Sequence, residues 1–158
     1  MKNRVGAFSK LALSVAIAAA SAQAMSAVAI NEVQGNSDET PLDGQTVEVT
    51  GIVTGLMNNG FFMQAADADQ DDDAATSEGI FVFEYNAGVT KGDSVNVTGN
   101  ASEYSGNTQI SADNIVINSS NNTLPTAVSI PADYTNVNLE ALEGMLVSLE
   151  QSVVTDVY

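Results

Sequence analysis

Short runs of alternating apolar and polar residues, separated by turn residues, constrain the fold of this chain more than any other feature. Residues 46–54 alternate in the manner of a strand with one buried face, and Gly51 within the run offers a place for a bulge or a tight bend. Four further strand-like runs are bounded by turn signals such as Asn58-Asn59-Gly60 and Lys91-Gly92-Asp93, and they cover residues 61–64, 79–85, 94–98 and 108–117. Five strands in this order, the first long and bent, predict an all-β protein, a small five-stranded Greek-key barrel of the OB type. A β-sandwich is the alternative architecture.

The N-terminus has the layout of a secretory signal peptide. A positive region with Lys2, Arg4 and Lys10 precedes an apolar run, residues 11–20, that is too short to span a bilayer. Small residues follow, and cleavage is expected after Ala24, with Ala29 as the alternative. We therefore predict a signal peptide over residues 1–24 and a secreted protein, extracellular or periplasmic. An N-terminal membrane anchor is the less favoured interpretation.

The chain is strongly acidic once this leader is removed. The full sequence has a net charge of −16, and three of its four cations lie in the leader, which leaves Lys91 against twenty acids, a net charge of −19. Such a field repels phosphate backbones and anionic lipid. Binding of nucleic acid is therefore expected to be weak or indirect, and no membrane association is expected after export.

Cysteine and histidine are both absent from the chain. The roughly 130 residues of the mature chain are enough for one ordinary domain, whose stability must come from its core and from any bound ion. Without these residues the usual general base, thiol nucleophile and zinc ligands are missing, so the sequence predicts no catalytic residue in this segment.

An acidic loop, defined as residues 67–78, joins two of the predicted strands and places six carboxylates close together without a basic residue. Its spacing resembles that of a calcium loop, in which oxygen ligands occupy positions 1, 3, 5, 7 and 12. The candidate calcium ligands are the side chains of Asp67, Asp69, Asp71 and Glu78, with Asp73 contributing its carbonyl oxygen. Position 6 is an aspartate instead of the EF-hand glycine, and the flanks are strands, so this is not an EF-hand. A solvated acidic loop without a metal is the alternative.

An aromatic row is predicted on the strand that follows this loop. Phe81, Phe83 and Tyr85 share one face, whereas Ile80 and Val82 share the other. Because one of these faces must point out of a barrel, the row is a candidate surface for stacking nucleic-acid bases or for contact with a neighbouring domain. Packing against the linker or the next domain is the favoured interpretation.

Five segments carry a resemblance to a known family. They are INEVQG at 30–35, LDGQTV at 42–47, GFFMQ at 60–64, ATSEGIFV at 75–82 and GNASEY at 99–104. Together they resemble the N-terminal part of secreted bacterial endonucleases of the endonuclease/exonuclease/phosphatase superfamily. The resemblance implies an OB-fold domain that precedes a catalytic domain, whose histidines, acids and divalent metal cannot be placed on this segment.

A short internal repeat suggests that a second unit begins near the C-terminus. Leu42-Asp43-Gly44 recurs 100 positions later as Leu142-Glu143-Gly144, each followed by a strand-like run. We therefore expect an OB-like domain over residues 25–122, a linker over residues 123–137 and the beginning of a further, truncated β module over residues 138–158.

Two functions remain from different classes. The first is a non-catalytic accessory domain of a secreted DNA or RNA endonuclease, which positions or stabilises a downstream catalytic domain of the same chain and has a calcium-type loop. The second is a free-standing secreted module that binds protein or extracellular matrix in a calcium-dependent manner. Ca²⁺ is the expected cofactor in either case, and any catalytic divalent metal would belong to the downstream domain.

Overall fold

The computed structural model describes residues 27–71 and 73–150, so the predicted signal peptide lies outside the described residues. The elements are a short helix α1 (Ile30–Gln34), a 3₁₀ helix (Glu140–Leu142) and seven strands. The strands are β1 (Thr46–Met57), β2 (Gly60–Gln64), β3 (Gly79–Phe83), β4 (Ser94–Glu103), β5 (Thr108–Ser119), β6 (Val128–Ile130) and β7 (Val147–Leu149).

The first five strands form a closed barrel in the order β1-β2-β3-β5-β4, and β4 returns to β1. All neighbours are antiparallel except β3 and β5, which are parallel. The predicted all-β, five-stranded Greek-key barrel of the OB type is confirmed. Strand β1 makes closure possible because it pairs with β4 over residues 46–52 and with β2 over residues 52–57.

The barrel interior is filled by the apolar set of each alternating strand. The fully buried side chains are mainly valines together with a few larger groups, and they include Val49, Val53, Phe61, Met63, Ile80, Val82, Val95, Val97 and Ile110. Helix α1 closes one end, where Ile30 and Val33 join the same cluster. Its polar residues are tied to the start of β3, since the Gln34 side chain donates to the Gly79 carbonyl at 2.6 Å. These contacts explain how a five-residue helix, which is too short to be stable alone, is stabilised at this position.

Four details differ from the sequence-based expectation. Strand β3 ends at Phe83 instead of continuing to residue 85, and Tyr85 lies in the turn that follows. Helix α1 was not predicted, because five residues are too few to show a helical period. Strand β4 continues beyond the predicted end at residue 98 and reaches Glu103. Gly99 allows this pairing because a β-carbon at that position would lie only 2.3 Å from the carbonyl oxygen of Ser111. The irregularity of β1 falls between Val53 and Gly55, while Gly51 marks the region where β1 changes partner.

A two-stranded parallel sheet follows the barrel, formed by β6 and β7. Strand β6 lies within residues 123–137, the segment predicted to be a linker, because its backbone groups find partners in residues 146–150. The segment predicted to be a linker thus contains a short strand, and the predicted domain boundaries stay a prediction. In the part of the chain that the structure describes, no helix is long and apolar enough to cross a membrane.

The internal repeat has the same backbone geometry in both copies. The amide of Gln45 donates to the carbonyl of Leu42 at 2.9 Å, and the amide of Met145 donates to the carbonyl of Leu142 at 3.1 Å. The intervening glycines both have left-handed backbones, with φ of 73° at Gly44 and 69° at Gly144. A strand follows each turn. The likeness also extends upstream, because Ala-Val-x-Ile occurs at 27–30 and again at 127–130.

Candidate functional site

The barrel carries a groove of about 580 Å³ on the outer face of β2, β3 and β5, which we call the aromatic groove. Its walls come from these strands, from the β1–β2 and β4–β5 turns and from the segment after the 3₁₀ helix. The lining residues are Met57, Asn59, Phe62, Phe81, Phe83, Tyr85, Tyr104, Asn107, Gln109, Ser111, Glu143 and Gly144. In an OB-type barrel this is the face on which ligands are bound.

Four rings along β2 and β3 form the floor. Phe62 and Phe81 are partners across the two strands, with ring centroids 5.1 Å apart and planes inclined by 56°. Phe83 and Tyr85 follow, with centroids 5.4 Å apart and an edge-to-face angle of 78°. Phe62, Phe81 and Phe83 point outward because Phe61, Ile80 and Val82 take the inward positions of their strands. Tyr85 lies in the turn after β3. The structure thus places the predicted row of Phe81, Phe83 and Tyr85 in one groove.

Sequence reasoning missed two aromatic members of this groove. Phe62 could have been found from the alternation of β2, since Phe61 and Met63 on either side are fully buried. Tyr104 lies in the β4–β5 turn, 68% exposed, and no periodic signal marks it. Both add to the apolar surface on which a ligand can stack.

The polar lining consists mainly of neutral groups. Asn59 lies in the β1–β2 turn, Asn107 in the β4–β5 turn, and Gln109 and Ser111 on β5 beside Phe81 and Phe83. These side chains can donate and accept hydrogen bonds. No lysine or arginine lines the groove within the described ranges.

A carboxylate, Glu143, stands at one end of the groove. Burial raises the pKa of Glu143 to about 7, and repulsion by Glu140 and Glu103 acts in the same direction, while the backbone amide of Thr108 opposes it. Its Oε2 atom is buried and has no hydrogen-bond partner among the described residues. Glu103 beside it accepts hydrogen bonds from the Thr40 amide at 2.7 Å and the Thr108 hydroxyl at 2.6 Å. Glu143 is therefore the carboxylate of this cluster whose charge changes near neutral pH.

Residues 143–146, which we call the docking segment, lie against the start of β3. The Ser77 hydroxyl donates to the Glu143 carbonyl at 2.6 Å, and the Leu146 amide donates to the buried Gln64 side chain at 2.8 Å. Gly79 and Gly144 meet backbone to backbone, and a β-carbon on Gly79 would lie 2.4 Å from the Gly144 carbonyl carbon. Two glycines are required for this approach, which holds the docking segment against the barrel.

The acidic loop is organised by hydrogen bonds that use several of its carboxylates. Asp67 accepts from the amide of Thr126 at 2.8 Å and from its hydroxyl at 2.6 Å, and these contacts lower the pKa of Asp67. Asp71 accepts from the amide of Asp73, and Asp73 accepts from the amide of Ala75. Asp67 thus connects the loop to the segment after the barrel.

Glu78 is the one candidate calcium ligand that is buried, with 5% of its surface exposed. Its Oε1 accepts from the amide of Asp71 at 2.9 Å and from the Asn31 side chain at 3.1 Å, while Oε2 is buried and has no partner among the described residues. Burial raises the pKa of Glu78, and the nearby Asp71 carboxylate also raises it. A divalent cation would relieve both effects.

The five predicted ligands are not gathered around one point. Among residues 27–71 and 73–150, no group of three or more acidic side chains is close enough to hold a metal ion. Asp69 lies in a turn where its amide donates to the Ala66 carbonyl. The geometry fits a calcium ion only if Asp69, Asp71 and Asp73 close onto Glu78, so calcium binding stays a prediction.

Comparisons with known proteins identify no family for this chain. No family model and no curated protein matches the chain. Among solved structures it is similar to an OBody, AM1L10, bound to hen egg-white lysozyme, at 17% identity and a TM-score of 0.43, over 58% of this chain and 90% of that chain. It is also similar to the hypothetical protein ygiW from E. coli, at 18% identity and a TM-score of 0.35, over 48% of this chain and 76% of that chain. The assignment to the OB type rests on the closed strand order.

Proposed function

We propose that this chain is a non-catalytic OB-fold module of a secreted bacterial endonuclease, in which the barrel holds the following unit of the chain in a fixed position. The observation that carries the proposal is the docking segment. Its backbone contacts Gly79 too closely for any side chain, and hydrogen bonds from Ser77 and to Gln64 fix it at both ends. Such a contact would keep the following unit in a fixed position relative to the barrel.

Two further points support a role without catalysis. The chain has no histidine or cysteine, and its raised carboxyl pKa values belong to Glu78 and Glu143, whose carboxyl groups have different neighbours, Asp71 and Asn31 for the first and Glu140 and Glu103 for the second. The order of five motifs resembles the OB-fold region of secreted endonucleases. In that family the catalytic groups belong to another domain.

The positioning role is tested with Gly79→Ala, because its β-carbon would clash with the Gly144 backbone. Gly55→Ala is the matched control, since a β-carbon there meets only the Phe62 ring at an ordinary 3.9 Å. We expect the Gly79 variant to keep the barrel spectrum by circular dichroism while the docking segment becomes sensitive to protease. Equal protease resistance in both variants would contradict the role.

The link to a nuclease has its own test. A coding region downstream of Tyr158 with histidines and paired acids would support the proposal, and a stop codon directly after it would contradict it. In the natural gene product, Gly79→Ala should lower nuclease activity more than Gly55→Ala. Equal activities would show that docking does not serve catalysis.

Calcium is part of this proposal as the ion that orders the acidic loop. Glu78 would be the anchor, since its Oε2 is buried and unpartnered within the described chain, and Asp69, Asp71 and Asp73 would supply further oxygens. Calcium accepts six to eight oxygen ligands in flexible geometry, which suits a set of several carboxylates on one loop. Asp67 would keep its bonds to Thr126 and would not be a ligand.

The second candidate function is a secreted interaction module that binds a partner through the aromatic groove. The observation that favours it is the exposure of Tyr85 and Tyr104, at 60% and 68%, beside half-buried phenylalanines. Exposed aromatic residues grouped in a concave surface are typical of binding sites. Alanine variants of both tyrosines should abolish partner capture and leave the barrel folded.

A further inference from the structure

We propose that the aromatic groove binds cationic side chains, arginine or lysine, presented by a segment of a partner protein. This assignment names a ligand class for the groove and goes beyond the positioning role of the docking segment. It rests on ring geometry, on the composition of the lining and on the charge of the chain.

The rings offer the surface that a cation requires. A cation is attracted to the face of an aromatic ring when it lies within about 6 Å of the centroid. Phe83 and Tyr85 meet edge to face, at 78° and 5.4 Å, so the edge of one ring covers one face of the other. Tyr85 is 60% exposed, which leaves ring surface open to a ligand. Phe62 and Phe81 extend this floor by another tilted pair. The stem of an arginine or lysine can pack on the rings while its charge stays near solvent.

The polar lining complements a positive charge. No cation lines the groove in the described chain, and Glu143 stands at one end with Glu140 and Glu103 nearby. The amide side chains of Asn107 and Gln109 can accept hydrogen bonds from a guanidinium or ammonium group. A ligand cation would also relieve the cost of ionising a half-buried carboxylate.

The charge of the whole chain favours the same ligand class. A net charge of −16 attracts cationic partners and speeds their approach. The same field opposes a phosphate backbone, which needs the basic groove that single-strand-binding OB barrels have. Single-stranded nucleic acid and neutral oligosaccharide are therefore the competing outcomes of the test.

The first experiment compares two peptides by titration calorimetry with the purified chain at pH 8 and 0.15 M salt. One is acetyl-Gly-Arg-Gly-Arg-Gly-amide, and the other carries citrulline, an uncharged isostere, in place of each arginine. We expect the arginine peptide to bind at least tenfold more tightly. Equal affinities would overturn the proposal, and so would tighter binding of hexathymidylate or of a neutral hexasaccharide.

The second experiment separates the groove from the general negative field by using variants that leave the net charge unchanged. Phe83→Leu combined with Tyr85→Leu removes two ring faces but keeps apolar surface, and we expect affinity for the arginine peptide to fall about fivefold or more. Tyr134→Leu is the matched control, since Tyr134 is 61% exposed and lies outside the groove. Equal affinities in the two variants would place the binding outside the groove and overturn the proposal.

A single substitution of an exposed side chain tests the groove without disturbing the core. Tyr85→Leu alone changes a side chain that is 60% exposed, and it should weaken binding of the arginine peptide about two- to fivefold with an unchanged melting temperature.

The affinity of the wild type for the arginine peptide should also fall between pH 8 and pH 6, because Glu143 takes up a proton. This pH dependence should vanish in Glu143→Gln. An unaltered pH dependence in that variant would remove Glu143 from the site.

Discussion

Glu143→Gln is the perturbation for which the structure gives the sharpest expectation. The pKa of this carboxyl rises from 4.5 to about 7 on folding, because burial disfavours its charge and because Glu140 and Glu103 repel it. A folded-state pKa above the unfolded value means that the folded protein binds the proton more tightly. The contribution of Glu143 to stability is therefore fully present below pH 4.5 and is lost as the pH rises toward 7.

The size of this loss of stability follows from the difference between the unfolded and folded pKa values of Glu143. At ~1.36 kcal/mol per pH unit the full interval would correspond to about 3.4 kcal/mol. Glu143 is only half-buried, and solvent screening reduces the expected value to about 1–2 kcal/mol. Glutamine keeps the shape and removes the charge. The variant should thus be more stable than the wild type by about 1–2 kcal/mol at pH 8 and equal to it at pH 4.

The assay is urea unfolding of wild type and variant at pH 4, 6 and 8, read as the difference in free energy at each pH. Glu39→Gln serves as the control, since Glu39 is exposed and its substitution changes the net charge by the same amount. A difference that stays constant from pH 4 to pH 8 would refute the reasoning. A pH-dependent difference shared by the Glu39 variant would attribute the effect to net charge.

Three further predictions concern the metal and nucleic acid. Calcium at ~100 times its Kd should stabilise the chain by about 2.7 kcal/mol, measured as a rise in melting temperature. Glu78→Gln should abolish this rise, and Asp67→Asn should preserve it. If the melting temperature does not rise up to millimolar calcium, the loop is a solvated acidic loop that binds no calcium. The purified chain should not cleave DNA or RNA with magnesium, manganese or calcium, and cleavage that survives stringent purification would contradict this. Single-stranded DNA should bind with a Kd above micromolar at physiological salt, because stacking at about 1–3 kcal/mol per base must work against the chain's charge, and micromolar binding would show that the charge argument is too strong.

The barrel was predictable because its signals are local. Alternation along the strands and the glycine turns at 58–60 and 91–93 indicate where strands begin and end, and over residues 46–50 the buried face follows from the period of two. Residues 51–54 are all buried, in the region where β1 changes partner from β4 to β2. The outward positions of Phe62, Phe81 and Phe83 were predictable for the same reason. Tyr85 and Tyr104 lie outside the strands, so alternation does not place them. That the rings meet in one groove depends on strand order, which is a property of the closed sheet.

The site was less predictable where contacts between distant residues decide it. Asp67 belongs by spacing to a calcium loop, yet its carboxylate bonds to Thr126, 59 positions away. Glu143 is one acid among twenty in the sequence, and it is distinguished by its burial together with the approach of Glu140 and of Glu103, which is distant in sequence. No pattern within a window of ten or twenty residues predicts the contact of Asp67 with Thr126 or the burial of Glu143 beside Glu103.

The repeated Leu-acid-Gly turn explains how similar sequences come to serve different purposes. Both copies close the same hydrogen bond and use a left-handed glycine, so the local sequence determines the local backbone in each. Their surroundings differ. A β-carbon on Gly44 would meet nothing within 4 Å, whereas one on Gly144 would meet the Ile80 amide nitrogen at 2.8 Å. The first glycine is needed for its φ angle alone, and the second is needed also for the close approach that docks one unit on the other. Substitution of Gly44 by asparagine, which tolerates a left-handed backbone, should therefore be mild, whereas the same substitution at Gly144 should detach the docking segment.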